Sequence, residues 1–180
     1  MIGMLVMLAV TLTANISYGQ QHAVKTNLAN FAIAGGSLHY EHILGDASSA
    51  QLGLFFTGLS VDDTKFGGFG VIPQYRLYPG KKAAPQGFFV APLLSYQTFS
   101  LETTSGGSTA KADYSLVGVG FDIGNQWLVQ RTVSIELSLG LTFNSTKLSI
   151  ETGGATEDDF SVGGLGGTAP RFGLSLGYAF

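Results

Sequence analysis

Six charged residues of this chain recur on the polar phase of alternating segments: Lys25, Arg76 and Arg171, with Glu41, Asp122 and Glu136. Three positive and three negative side chains sharing one face of a closed sheet must pair or be hydrated, because an unpaired buried charge costs several kcal/mol. Their balance points to mutual ion pairing, an interior network that plugs a lumen. A narrow solute channel through the same residues is the alternative.

Catalysis needs a nucleophile, a base and an orienting acid within reach of one another. The chain has three histidines: His22 in the expected N-terminal tail, His39, and His42 on the phase opposite His39. His39 and Glu41 stand at i and i+2, so they share one strand face. With a Ser from a neighbouring strand they would make a base–acid pair for lipid modification, although no His-x-Ser pattern accompanies them. The acidic runs Glu157-Asp158-Asp159 and Asp62-Asp63 offer oxygen ligands of the kind calcium takes, but without the spaced positions and turn Gly of an EF-hand. Gly163 to Gly167 lacks the Lys and the following helix of a phosphate loop and reads as flexible connection. No metal or cofactor is expected.

Composition narrows the classes further. Charged residues are 12% of the 180, about half the share usual in soluble domains. Against this stand 26 Gly, 13 Phe and 7 Tyr, which suits an outer surface that meets lipid. A net charge of −3 offers no basic field to nucleic acid. The absence of Cys excludes a disulfide framework, a thiolate metal site and a lipid-modified N-terminal Cys.

Ile2 to Leu12 is an apolar run of signal-peptide length, and Ser17 and Gly19 flank Tyr18 in an A-x-A-like pattern. The run falls short of the ~20 residues that a membrane-spanning helix needs. Residues 1–19 are therefore expected to be a cleaved signal peptide and 20–180 a single barrel domain. No Lys or Arg precedes the apolar run, which leaves a start further upstream open.

Two segments set the architecture. Val133 to Phe143 alternates Val133, Ile135, Leu137, Leu139, Leu141 and Phe143 with Ser, Glu, Gly and Thr. Arg171 to Phe180 alternates Phe172, Leu174, Leu176, Tyr178 and Phe180 with Gly, Ser and Ala. Period two over about ten residues is the pattern of a strand long enough to cross a bilayer at barrel tilt. Five further segments fit with more noise: Ser37–Leu44, Gln51–Leu59, Gly68–Pro79, Phe88–Leu101 and Ala112–Trp127. Phe88–Leu101 is apolar on both phases, so its register is open. Ala23–Ile33 is the least regular, with Lys25 and Asn27 on one face.

The spacing predicts an all-β, eight-stranded antiparallel up-and-down transmembrane β-barrel. Short turns are expected at Gly45–Ser49, Gly80–Gln86 and Leu128–Arg131. Loops are expected near Gly35, at Val61–Phe66, at Glu102–Lys111 and at Glu151–Thr168, the last two the longest. Tyr40, Tyr75, Trp127, Tyr178 and Phe180 would form one aromatic girdle, and Phe66, Phe69, Phe143 and Phe172 the other. A soluble, lipocalin-like barrel would need an apolar lumen and a polar outside, the reverse of the last two strands.

The signal peptide, the eight strands and the terminal Gly177-Tyr178-Ala179-Phe180 resemble the small outer-membrane barrels of the OmpA/OmpX type. The segment Pro73-Gln74-Tyr75-Arg76-Leu77-Tyr78 resembles a P-x-Y-R-x-Y strand of uncharacterised small barrels of that kind. The resemblance implies a monomer of the cell outer membrane, in contact with outer-membrane lipids, with a structural or surface-interaction role. It also implies that Leu174, Leu176, Tyr178 and Phe180 form the signal read by the barrel-assembly machinery during insertion.

Overall fold

The computed structural model describes residues 21–61, 63–105, 108–151 and 167–180. The expected signal peptide, Asp62 and the acidic run Glu157–Asp159 lie outside them. The described residues form eight antiparallel strands: β1 (His22–Asn27), β2 (Gly35–Gly45), β3 (Ser48–Val61), β4 (Thr64–Leu77), β5 (Gly87–Ser105), β6 (Ser108–Val129), β7 (Val133–Glu151) and β8 (Gly167–Ala179). Each strand pairs with its sequence neighbours, and β8 pairs with β1 to close the barrel.

Alternation dictates which side chains face in. Arg76, Gln74 and Ile72 of β4 are buried, while Leu77, Tyr75 and Pro73 between them are exposed. On β8 the buried residues are Gly173, Ser175 and Ala179, and the exposed ones Phe172, Leu174, Leu176 and Tyr178. Phe88–Leu101 also resolves, with Phe89, Ala91, Leu93 and Ser95 inside and Phe88, Leu94 and Tyr96 outside. Its inward face is apolar in part, which is why the sequence pattern alone left its register open.

Small residues let the ladders close over the interior. A Cβ on Gly177 would collide with the backbone oxygen of Val24 and with the Lys25 side chain. One on Gly140 would collide with the carboxylate of Asp122. Glycine at these positions leaves room for the charged chains beside them.

Four expectations need correction. Phe66, expected in an aromatic girdle, lies on the inward phase of β4 and stacks on Phe99 at 5.6 Å between ring centroids. The β5 and β6 strands run on to Ser105 and Ser108, so most of Glu102–Lys111 is ladder, not loop. Beyond Thr103 and Lys111 the two strands pair only with each other, as an extended hairpin. Val61 and Thr64 likewise pair directly, which turns the expected Val61–Phe66 loop into a tight hairpin.

The fourth correction concerns the first strand. Ala23–Ile33 is not one strand: β1 ends at Asn27, and Leu28–Ile33 forms a 3-10 helix that ends at Ala34 with φ 50°. The Asn27 side chain accepts from the Ala29 N–H at 3.0 Å and so caps that helix. As a result the wall is uneven. β6 has 22 residues and β1 only 6.

Candidate functional site

The turn end of the lumen holds the charges. Lys25 Nζ, on β1, lies 2.8 Å from Glu41 on β2 and 2.6 Å from Glu136 on β7. From β4, Arg76 makes a two-pronged contact with Glu136, Nη1 to Oε2 at 2.7 Å and Nη2 to Oε1 at 3.0 Å. The Arg76 guanidinium also lies 4.4 Å above the Phe89 ring, a favourable cation–aromatic arrangement. Lys25, Arg76, Glu41 and Glu136 are at most 4% exposed in their side chains. At this burial a carboxylate survives as an anion only because each oxygen has a donor.

Uncharged residues complete the coordination. Glu41 Oε1 accepts from Ser49 Oγ at 2.5 Å and from Tyr78 Oη at 2.6 Å. Gln126 accepts from Lys25 and Arg76 through Oε1 and donates to Ser134 through Nε2. Gln74 accepts from Arg76 and donates to Asp122 Oδ2 at 2.7 Å. Asp122, on β6, receives Arg171 of β8 at 3.0 Å. All six charged residues singled out from the sequence are therefore brought into one connected network.

Sequence reasoning missed Gln126, Gln74, Tyr78, Ser49 and Ser134. Each sits on the inward phase, a signal that was present. An uncharged polar residue on that phase gives no hint, however, of which charge it will serve. Arg171 was expected to need a carboxylate, and Asp122 supplies it.

The network is charge-neutral, with three cations and three anions. The free space enclosed among Arg76, Glu136, Asp122, Gln51 and Arg171 is about 30 Å³, room for a water or so. His39 does not contact Glu41. Glu41 is bonded to Lys25, Ser49 and Tyr78, while His39 Nδ1 lies 3.4 Å from Gln51 Nε2. His22 is no loose tail residue, since it pairs with His42 in the β1–β2 ladder and stacks on it at 4.9 Å between ring centroids. Among the described residues no group of three or more His, Asp or Glu is placed to hold a metal ion.

Outside, the same ladders present large hydrophobes. Leu94, Val117, Leu139 and Phe172 are each more than half exposed. Tyr40 and Tyr178 flank Val24 in the pairing, and both are exposed. Phe180 stacks on Tyr178 and lies tilted against His22, at 6.1 and 5.5 Å between ring centroids.

No curated protein and no solved structure matches the chain. The model of one family, described as protein of unknown function (DUF3575), matches residues 3–180. That match covers every strand of the barrel and all six residues of the ionic network: the chain belongs to the DUF3575 family.

Proposed function

We propose that this chain is an integral outer-membrane β-barrel, exported by a cleaved signal peptide. Its role is structural or surface-interacting, and its lumen is closed to solutes by the ionic network. One observation carries the reading: polarity is inverted, with paired charges inside and large hydrophobes outside around the circumference. A water-soluble protein rarely exposes apolar patches beyond a few hundred Å². In a bilayer the same surface is solvated by lipid, and barrel closure satisfies the backbone groups of the strands wherever both neighbours pair. The likeness to OmpA/OmpX-type barrels rests on strand number, outward alternation and the aromatic C-terminal strand.

Within this reading Tyr40, Tyr75, Trp127 and Tyr178 occupy the headgroup level at the turn end, and Leu174, Leu176, Tyr178 and Phe180 address the assembly machinery. Cell fractionation with and without boiling before gel electrophoresis tests the proposal. The folded protein should partition with the outer membrane and change mobility on heating; recovery in the soluble fraction would refute it. In planar bilayers the protein should be electrically silent, and steady conductance would remove the plug from the proposal. Deleting Phe180 should lower the folded fraction more than any single loop substitution does.

A further inference from the structure

The wall of the barrel is interrupted where β1 stops. The β1–β8 ladder runs from Ala23↔Ala179 to Asn27↔Ser175, whereas β8 continues to Gly167 along β7. Above Ser175 the β1-facing edge of β8 meets no strand among the described residues; the Leu28–Ile33 helix packs there, against both β8 and β2. The Asn27 amide takes the place of one ladder step: its Nδ2 donates to the Phe172 carbonyl at 3.3 Å and its Oδ1 accepts from Leu174 N–H at 3.1 Å. Leu174 and Phe172 thus direct their backbone groups toward the missing strand, and by the two-residue period Pro170 does as well. Proline there has no N–H to leave unpaired. The neighbouring edge of β2 is tied in a similar way, by Thr26 Oγ1 donating to the Ser37 carbonyl at 2.8 Å and Asn27 N–H donating to Ser37 Oγ at 2.9 Å.

Behind this interruption lies a cavity of about 440 Å³, within the range of small-molecule sites, about 300–1,000 Å³. Phe55, Phe66, Ile72 and Phe99 line it from the lumen. Pro170 and Phe172 line it too, although both belong to the exposed, outward phase of β8. The cavity therefore lies against the stretch of wall where β1 stops, and Asn30 of the 3-10 helix lines it as well. Its floor is polar. The Arg171 side chain remains 23% exposed while bonded to Asp122. His39 Nε2 is buried with no hydrogen-bond partner.

We propose that this cavity binds a long-chain acyl group with a hydrogen-bond-accepting head, admitted past the Leu28–Ile33 helix between β8 and β2. The apolar chain lies against the phenyl rings, and the carboxyl or ester oxygens meet Arg171. Lateral admission rests on the membrane reading above, since the Leu28–Ile33 helix stands in the wall that this reading sets against lipid. A free fatty acid and the acyl ester of a phospholipid share this chemistry.

The test uses the folded protein in phosphatidylcholine vesicles with two photolabels. One is palmitic acid carrying a terminal diazirine, and the other is phosphatidylcholine with the same diazirine on one chain. After irradiation, peptide mapping should place label on the segments holding Phe55, Phe66 or Phe99, and unlabelled palmitate should compete it away. Labelling by the free acid alone identifies a carboxylate ligand; labelling by both probes identifies an acyl chain of bilayer lipid. Ile72→Trp and, separately, Thr57→Phe fill the cavity and should cut this label roughly tenfold, the loss that about 1.4 kcal/mol of binding represents. Gly45→Ala is the control, because nothing lies within 4 Å of the added methyl.

Label confined to outward residues such as Leu94, Val119 and Leu139, with none competed, would overturn the proposal. Heat-shifted mobility and protease protection of the same vesicles report separately on insertion. An inserted barrel with only outward label sinks the cavity alone; a barrel that does not insert sinks the membrane reading and lateral admission together.

Discussion

The two halves of the lumen solve the same problem in opposite ways. At the turn end, eight strands of small and charged residues converge on a neutral cluster with almost no free volume. At the loop end, a 3-10 helix replaces one strand over part of the wall and phenyl rings surround a hollow. The first half is stabilised by mutual satisfaction, so removing any one member orphans the others. The second is held by dispersion and by single side chains standing in for backbone. Charge density and packing density rise together here, because a buried charge tolerates neither a void nor a missing partner.

Substitutions in the two halves should therefore differ in kind. The largest effect is expected for Glu136→Ala, which strands Lys25 and Arg76 and should cost about 3–5 kcal/mol, read as a fall in the urea midpoint of the folded, heat-shifted band. Arg171→Ala, at the boundary between the halves, should cost less, about 1.5–3 kcal/mol, the range for a hydrogen bond to a charged group; a loss equal to that of Glu136→Ala would erase the distinction. Asn27→Ala removes a helix cap and the stitch to β8, so a loss of about 1–2 kcal/mol is expected. It should also bring faster amide exchange in β8 near Phe172 and Leu174 but not near Ser175. Lys65→Ala, at an exposed pair with Glu102 at 3.5 Å, should change stability by less than about 0.5 kcal/mol. A larger change would show that the loop-end rim carries more of the fold than its exposure implies.

How far the sequence foretold each half follows from the same contrast. β7 and β8 were legible because one phase of each is uniformly apolar and the other small or polar. The six network charges were legible because each interrupts a polar phase where only an interior can receive it. Their partners were not: Lys25 and Glu136 lie 111 residues apart, and the stagger of the closed sheet decides which side chains meet. The cavity left no periodic trace, since it arises from the strand that Asn27 ends. Asn27 shares a phase with Lys25, so alternation carried the expected strand past the residue whose side chain turns the backbone into a 3-10 helix. Ser and Thr at the β5–β6 tip misled in the other direction, reading as loop where the two strands pair with each other up to Ser105 and Ser108.

Pro170 has a consequence beyond the cavity it lines. An unpaired strand edge is a template on which any extended segment, including a second copy of the same chain, can add itself by hydrogen bonding. Along the open stretch of β8, Asn27 already engages Phe172 and Leu174, and the next outward-directed position is a residue with no donor to offer. The stretch of β8 beyond Asn27 thus offers an added strand one donor fewer, which disfavours strand exchange between copies.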